Sequence, residues 1–136
     1  MNLFFTASVR GGRAHQPNHE RIVAALARYG TVASRHIADK ALSQWGETSL
    51  DAKEIREREL AALAAADVVV AEVTAPSLGV GYLIAEASRA GKKIVALYDG
   101  KDAEKLSGIV KGDPNVTLRL YETEADIDAV LKETLG

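Results

Sequence analysis

The stretch "ADVVVAEVTAPSLGVGYLIAEASRAG", Ala66 to Gly91, holds a strand, a loop and a helix in that order. Asp67–Val73 is continuous and β-branched, the pattern of a central parallel strand covered on both faces. The loop after it carries a hydroxyl, Ser77, and closely spaced glycines, and it runs into an apolar helix stopped at Gly91. Such a loop feeding a helix N-terminus suits an anion. The first carboxylate on that helix is Glu86, a full turn inside it.

The same alternation extends in both directions. Asn2–Ser8 reads as a buried strand ended by the polar loop "SVRGGR". Pro17 suits the first turn of a helix whose apolar positions, Ile22, Val23, Leu26 and Ala27, lead to a stop at Gly30. Thr31–Ile37 reads as a second strand. After the polar loop "SQWGETS", Asp51 with Glu54 three later marks a helix by a pair resembling a capping box, running to about Ala66. Beyond Gly91 come a strand at Lys93–Tyr98, a short helix at Ala103–Val110, a strand at Val116–Tyr121 and an amphipathic helix from Ala125.

This pattern predicts an α/β fold: one domain over residues 1–136, doubly wound, with a five-stranded parallel sheet in the order 2-1-3-4-5. Its switch point falls between the first and third strands, where ligands bind beyond the carboxyl ends. The loops at that place are Ser8–Arg13 and Thr74–Gly79.

Composition narrows the partners. With 47% hydrophobic and 26% charged residues, the chain matches average globular composition. No apolar run is long enough to span a membrane, and the N-terminus shows no basic region followed by a long apolar stretch and cleavage site. Zero cysteines exclude disulfides and thiolate metal sites and fit a cytoplasmic protein. A net charge of −2 gives no footprint for nucleic acid. His15, His19 and His36 form no metal-ligand pattern, because Pro17 between the first two points to a helix start. A small-molecule partner is expected.

In "SVRGGR", Ser8 offers a hydroxyl, Arg10 a bidentate fork, and Gly11 and Gly12 bare amides, a set that suits a phosphate or carboxylate. Taken alone, the loop reads equally as a flexible turn with solvated arginines. Paired with Ser77 and Gly79 across the switch point, it reads as an anion site. "GVG" at Gly79–Gly81 is no dinucleotide fingerprint, since no third glycine follows in place and no acidic residue ends the second strand. Glu59 shares a helical stripe with Ile55 and Leu63, so it either reaches water at a shallow end or enters the cleft as a proton-handling group. Trp45 in its polar loop reads as packing by default, with a base-stacking lid as the competing reading.

The segments "FFTASVRGGR", "ERIVAALARYGTVASRHIAD" and above all "ADVVVAEVTAPSLGVGY" resemble the 2'-deoxynucleoside 5'-phosphate N-hydrolases of the nucleoside 2-deoxyribosyltransferase superfamily. The resemblance implies a flavodoxin-like fold, a homodimer, and hydrolysis of a nucleoside 5'-monophosphate to free base and sugar 5-phosphate without a cofactor. By position it implies that Ser8, Val9, Arg10, Ser77 and Gly79 hold the phosphate. It implies that Ser107 reaches the phosphate from the neighbouring subunit and that His36 lies near sugar and base.

The catalytic positions depart from that family. Its nucleophilic glutamate directly follows the tyrosine of "GVGY", where this chain has Leu83. Its first-strand tyrosine falls on Phe4, and the aspartate of its second helix falls on Glu59. A retaining glycosyl transfer needs a carboxylate beside the anomeric carbon, and leucine supplies none. The expectation is weakened hydrolysis with Glu59 as the surviving acid or base; the alternative is a catalytically inactive nucleotide-binding protein of the same fold.

Overall fold

The computed structural model describes residues 1–136. Five strands, β1 (Asn2–Ala7), β2 (Thr31–Ala33), β3 (Val68–Glu72), β4 (Lys93–Asp99) and β5 (Val116–Tyr121), form one parallel sheet in the order β2-β1-β3-β4-β5. The helices are α1 (Gln16–Leu26), α2 (Ala52–Ala65), α3 (Leu78–Arg89), α4 (Gly108–Lys111) and α5 (Glu124–Leu135). The doubly wound order is the one the alternation predicts.

Side chains on successive strand residues point to opposite faces, and the core divides accordingly. Leu3, Phe5, Val70, Val95 and Leu97 pack with Ile22 and Leu26 of α1 and Ile127 and Leu131 of α5. Phe4, Val69, Ala71, Ile94 and Ala96 pack on the other face with Leu63 of α2 and Val80, Ile84 and Ala87 of α3. Every residue of β3 is buried, as befits a central strand that begins with three valines. Each fully buried large apolar side chain contributes about 1.5–3 kcal/mol, and β1 supplies three such residues in a row.

Local signals place most boundaries. Pro17 sits in the first turn of α1, and Gly91, at φ 68°, takes the left-handed conformation that stops α3. Asp51 caps α2 by accepting from the Glu54 amide at 2.8 Å, without a reciprocal bond. The full capping box lies at α5, where Thr123 and Asp126 each accept from the other's backbone amide.

Two elements differ from expectation. The second strand ends at Ala33, because Ser34 adopts a left-handed φ of 60° and the chain enters a 3-10 turn, Arg35–Ala38. His36 therefore lies on that turn and not on a strand end. The helix expected at Ala103–Val110 is the single turn α4, beginning at Gly108, with the preceding residues forming turns.

A buried polar knot closes the sheet beside the switch point. Glu72, completely buried at the end of β3, accepts from His19 Nε2 at 3.1 Å, from the Thr74 amide at 3.2 Å, from the Thr74 hydroxyl and from the Tyr121 hydroxyl at 3.4 Å. Nε2 is the donating nitrogen of His19, since Nδ1 has no partner in its buried surroundings. Burial, reinforced by the Glu72 and Asp99 carboxylates, pushes the Tyr121 phenol far above its ordinary range, so it remains a donor. Thr74 Oγ1 in turn accepts from the Asp99 amide at 2.9 Å, tying β3, β4 and the following loop together.

Glu72→Gln turns an amide group toward donors that need an acceptor. It is expected to lower stability by about 1–3 kcal/mol, the usual cost of leaving a buried polar group unsatisfied. Tyr121→Phe, which removes only the longest bond of the knot, is expected to cost less. Urea denaturation of both variants checks the order, and equal losses would assign the knot no special place.

Candidate active site

The loops after β1 and β3 enclose a cavity of about 500 Å³ with α2, the start of α3 and the segment around Trp45. Its lining includes Arg10, Gly11, Ser77 and Gly79 from the expected anion loops, with Glu47, Glu59 and Leu83 on other walls. Both expected loops therefore share one cavity.

The two loops touch at Gly11. A Cβ there would stand 2.4 Å from Ser8 Oγ and 2.8 Å from the Pro76 carbonyl oxygen, so only glycine lets them close. Ser8 is itself buried. Its hydroxyl accepts from the Gly11 amide at 3.2 Å and points to the Pro76 carbonyl at 3.5 Å, so it braces the loops and does not line the cavity. Val9 lines it and Arg10 extends exposed beside it. Arg13 is no solvated arginine. Its Nη2 donates to the carbonyls of Ile37 and Asp39, both at 2.9 Å, and bolts the first loop to the 3-10 turn.

Ser77 caps α3, its Oγ accepting from the Val80 amide at 3.2 Å. The amides of Leu78 and Gly79 in the first turn have no intrahelical partner. With the positive end of the helix dipole and the Arg10 guanidinium, they favour an anion at this mouth.

The opposite chemistry belongs to α2 and the segment before it. Glu59 is nearly buried and enters the cavity, which settles its position in favour of the cleft. It accepts from Arg58 Nη2 at 2.8 Å and from the Ser34 hydroxyl. Arg58 also grips Glu47 as a fork, through Nη1 at 2.7 Å and through Nη2. That hydrogen-bonded guanidinium holds the Glu47 carboxyl below the usual carboxylate range. The hydrogen bond to Glu47, ahead of the one to Glu59, raises the Arg58 guanidinium further above its ordinary value.

His36 Nε2 lies 2.8 Å from Glu47 Oε1 and 3.6 Å from Glu59 Oε1. A proton on Nε2 serves Glu47, which makes the 3.2 Å approach of Arg58 Nη2 a packing contact and not a hydrogen bond. One ligand atom each from His36, Glu47 and Glu59 lies within 4.8 Å of the others, a set with metal-ligand chemistry. The Arg58 guanidinium already supplies positive charge to both carboxylates.

Several expected positions fall outside the cavity wall. Phe4 has no exposed surface and packs in the core beneath α3, so it does not line the cavity. His36 does not line it either, and reaches it only through Glu47 and Glu59. Leu83 does line it, and its other side packs on the core cluster to which Phe4 belongs. Glu86 points elsewhere and lies 3.8 Å from Arg89 Nη1. Ser107 lines a separate groove of about 640 Å³, with Lys105, Leu106, Ile109 and Val110. The two cavities share Pro76, Ser77, Leu78 and Val80. Glu47, Arg58 and Ser34 carry no signal in the sequence, because their partnership spans a loop, a helix and a turn without any periodicity. Trp45, read by default as packing, is exposed.

No family model matches the chain. Individual relatives do. A 5-hydroxymethyl-dUMP N-hydrolase of Mus musculus is 46% identical over 112 residues, covering 82% of this chain and 65% of the mouse protein. The chain thus spans slightly less than two thirds of that relative. A 5-hydroxymethyl-dUMP N-hydrolase of Esox lucius is 37% identical over 138 residues, covering 98% of this chain and 94% of the pike protein. Among solved structures, a CMP N-glycosidase of Clostridium botulinum superposes with a TM-score of 0.67 at 21% identity, covering 96% of this chain and 98% of that one, a likeness of fold. A putative 2'-deoxynucleoside 5'-phosphate N-hydrolase 1 of Trichoplax adhaerens is 38% identical over 114 residues, covering 84% of this chain and 77% of that protein. With relatives matched at this level over most of their length, the chain belongs to the 2'-deoxynucleoside 5'-phosphate N-hydrolase family.

Proposed function

We propose that the chain binds nucleoside 5'-monophosphates and cleaves their N-glycosidic bond to free base and sugar 5-phosphate, with turnover held back by Leu83. The observation that carries this reading is one cavity with an anion-binding mouth and a carboxylate, Glu59, on its wall. The 5'-phosphate sits against Arg10 and the amides at the start of α3, with Ser8 and Ser77 shaping the loops. The sugar then lies toward Leu83. Glu59 is the carboxylate left to steady an oxocarbenium-like transition state and to take a proton from the attacking water. Leu83 can form no covalent intermediate.

A second reading is a nucleotide-binding protein without turnover. Two observations favour it: Leu83 is apolar, and Arg58 partly neutralises Glu59. Base release from a panel of nucleoside monophosphates separates the two. Wild-type turnover is expected to be slow or undetectable, Leu83→Glu is expected to raise it, and Phe4→Tyr to raise it further in that background than alone, since groups acting as a unit are non-additive. Glu86→Gln is expected to change little. Fast wild-type hydrolysis abolished by Glu86→Gln would overturn the assignment of position 83.

Phosphate recognition stands apart from turnover. Charge-assisted hydrogen bonds contribute roughly 1.5–3 kcal/mol each, so Arg10→Ala is expected to weaken nucleotide binding at least tenfold without unfolding the chain. Calorimetry giving equal affinities for a nucleoside and its 5'-monophosphate would remove the basis of the reading.

The site is completed by a second copy of the chain. Leu78 and Ile109 beside the Ser107 groove are 97% and 89% exposed, a surface suited to a homodimer in which each Ser107 approaches the other subunit's phosphate. No helix is long and apolar enough to cross a membrane, and a cytoplasmic place among free nucleotides fits the reading. Light scattering at micromolar concentration is expected to give a dimer, and Ile109→Asp is expected to yield monomer with weaker nucleotide binding. A wild-type monomer would count against it.

A further inference from the structure

Trp45 is the chain's single tryptophan. It lines the cavity, yet it remains 64% exposed. Burial of the indole is therefore not what orders the turn that carries it. Order comes from its neighbours. The Gly46 amide donates to the Ser43 carbonyl at 3.0 Å, and the Trp45 amide donates to Ser43 Oγ at 3.3 Å. Gly46, at φ 72°, adopts the left-handed conformation, and a Cβ built on it would meet Val9 Cγ1 of the anion loop at 3.8 Å. Next along the chain, Glu47 is clamped by Arg58 and His36.

A turn pinned on both sides thus presents a bare indole beside a cavity. An exposed apolar ring is unfavourable in water, and a flat ligand laid against it removes that cost. Tryptophan suits the task because a large rigid face is presented with few torsions to freeze.

We propose that Trp45 is the base-stacking plate of the site. The nucleobase of a bound nucleotide lies on the indole face, with Ile37, Leu42 and Ile55 as its apolar surround. This inference rests on the nucleotide reading above and adds which residue meets the base. Stacking tolerates base identity, since every base has a π-face. The plate therefore accepts purines and pyrimidines alike, and discrimination falls to the polar groups at Glu47 and Glu59.

Since no other tryptophan is present, indole emission reports on Trp45 alone. The full chain is titrated with AMP, dCMP and ribose 5-phosphate, by fluorescence and by calorimetry. Both nucleotides are expected to quench the emission along the calorimetric isotherm, while ribose 5-phosphate binds and leaves it unchanged. Trp45→Ala is expected to weaken both nucleotides about tenfold, within the range for losing one base–aromatic stack, and to leave ribose 5-phosphate binding unaltered. Trp45→Phe is expected to keep most of the affinity. Nucleotides that bind without quenching, or that bind no better than ribose 5-phosphate, would overturn the plate while leaving the phosphate site standing. A loss in Trp45→Ala that is equal for all three ligands would also overturn it, as damage to the fold. If none of the three binds, the nucleotide reading fails and this inference falls with it.

Discussion

The parallel pairing of β1 with β3 is the constraint on which the rest depends. Its last rung sets Ala7 beside Glu72, so the two strands end level and their loops leave from adjacent points of the sheet. Nothing else in the chain brings "SVRGGR" within reach of "TAPSLG". Once they are neighbours, Ser8 and Gly11 of the first loop and the Pro76 carbonyl of the second can interlock. Glu72, at that same rung, then draws His19, Thr74 and Tyr121 around itself and fixes the exit angle of the second loop. A carboxylate buried this deeply is tolerable only when donors surround it, and its demand for them is what makes the junction rigid.

Residues of α2 bring a different kind of order. Glu59 lies on the stripe between Ile55 and Leu63, where a charge needs partners to be admitted. Arg58, one residue earlier, turns back to supply one through Nη2, and with Nη1 and Nη2 together it captures Glu47 from an otherwise irregular segment. The carboxylate of the site and the turn carrying Trp45 are therefore held by a single guanidinium. A planar fork can do this where an ammonium could not.

How far the sequence reveals this follows from the range of each signal. Strand order, both core faces and the meeting of the two loops are legible because they rest on periodicity and on the handedness of crossovers, of which five strands have four. Gly91 and Pro17 are legible because each acts on its own backbone. The end of β2 is not, since this boundary depends on Ser34 turning left-handed, a conformation that serine seldom takes and that no neighbouring residue announces. Ser8 is half legible: its place in the first loop follows from the strand end, but its hydroxyl, read as a phosphate ligand, engages the Gly11 amide and the Pro76 carbonyl. The group of Glu47, Arg58, His36 and Ser34 is invisible in one dimension, because each member's partner is chosen by tertiary proximity.

Leu83 has a consequence beyond the chemistry it lacks. It is at once a wall of the cavity and a cover on the core under α3. A carboxylate at such a position gives up apolar packing and pays for partial desolvation, which is how enzymes commonly exchange stability for activity. A leucine there releases the fold from that exchange. Position 83 thus adds to the packing under α3 while it closes the cavity, and one side chain serves both surfaces.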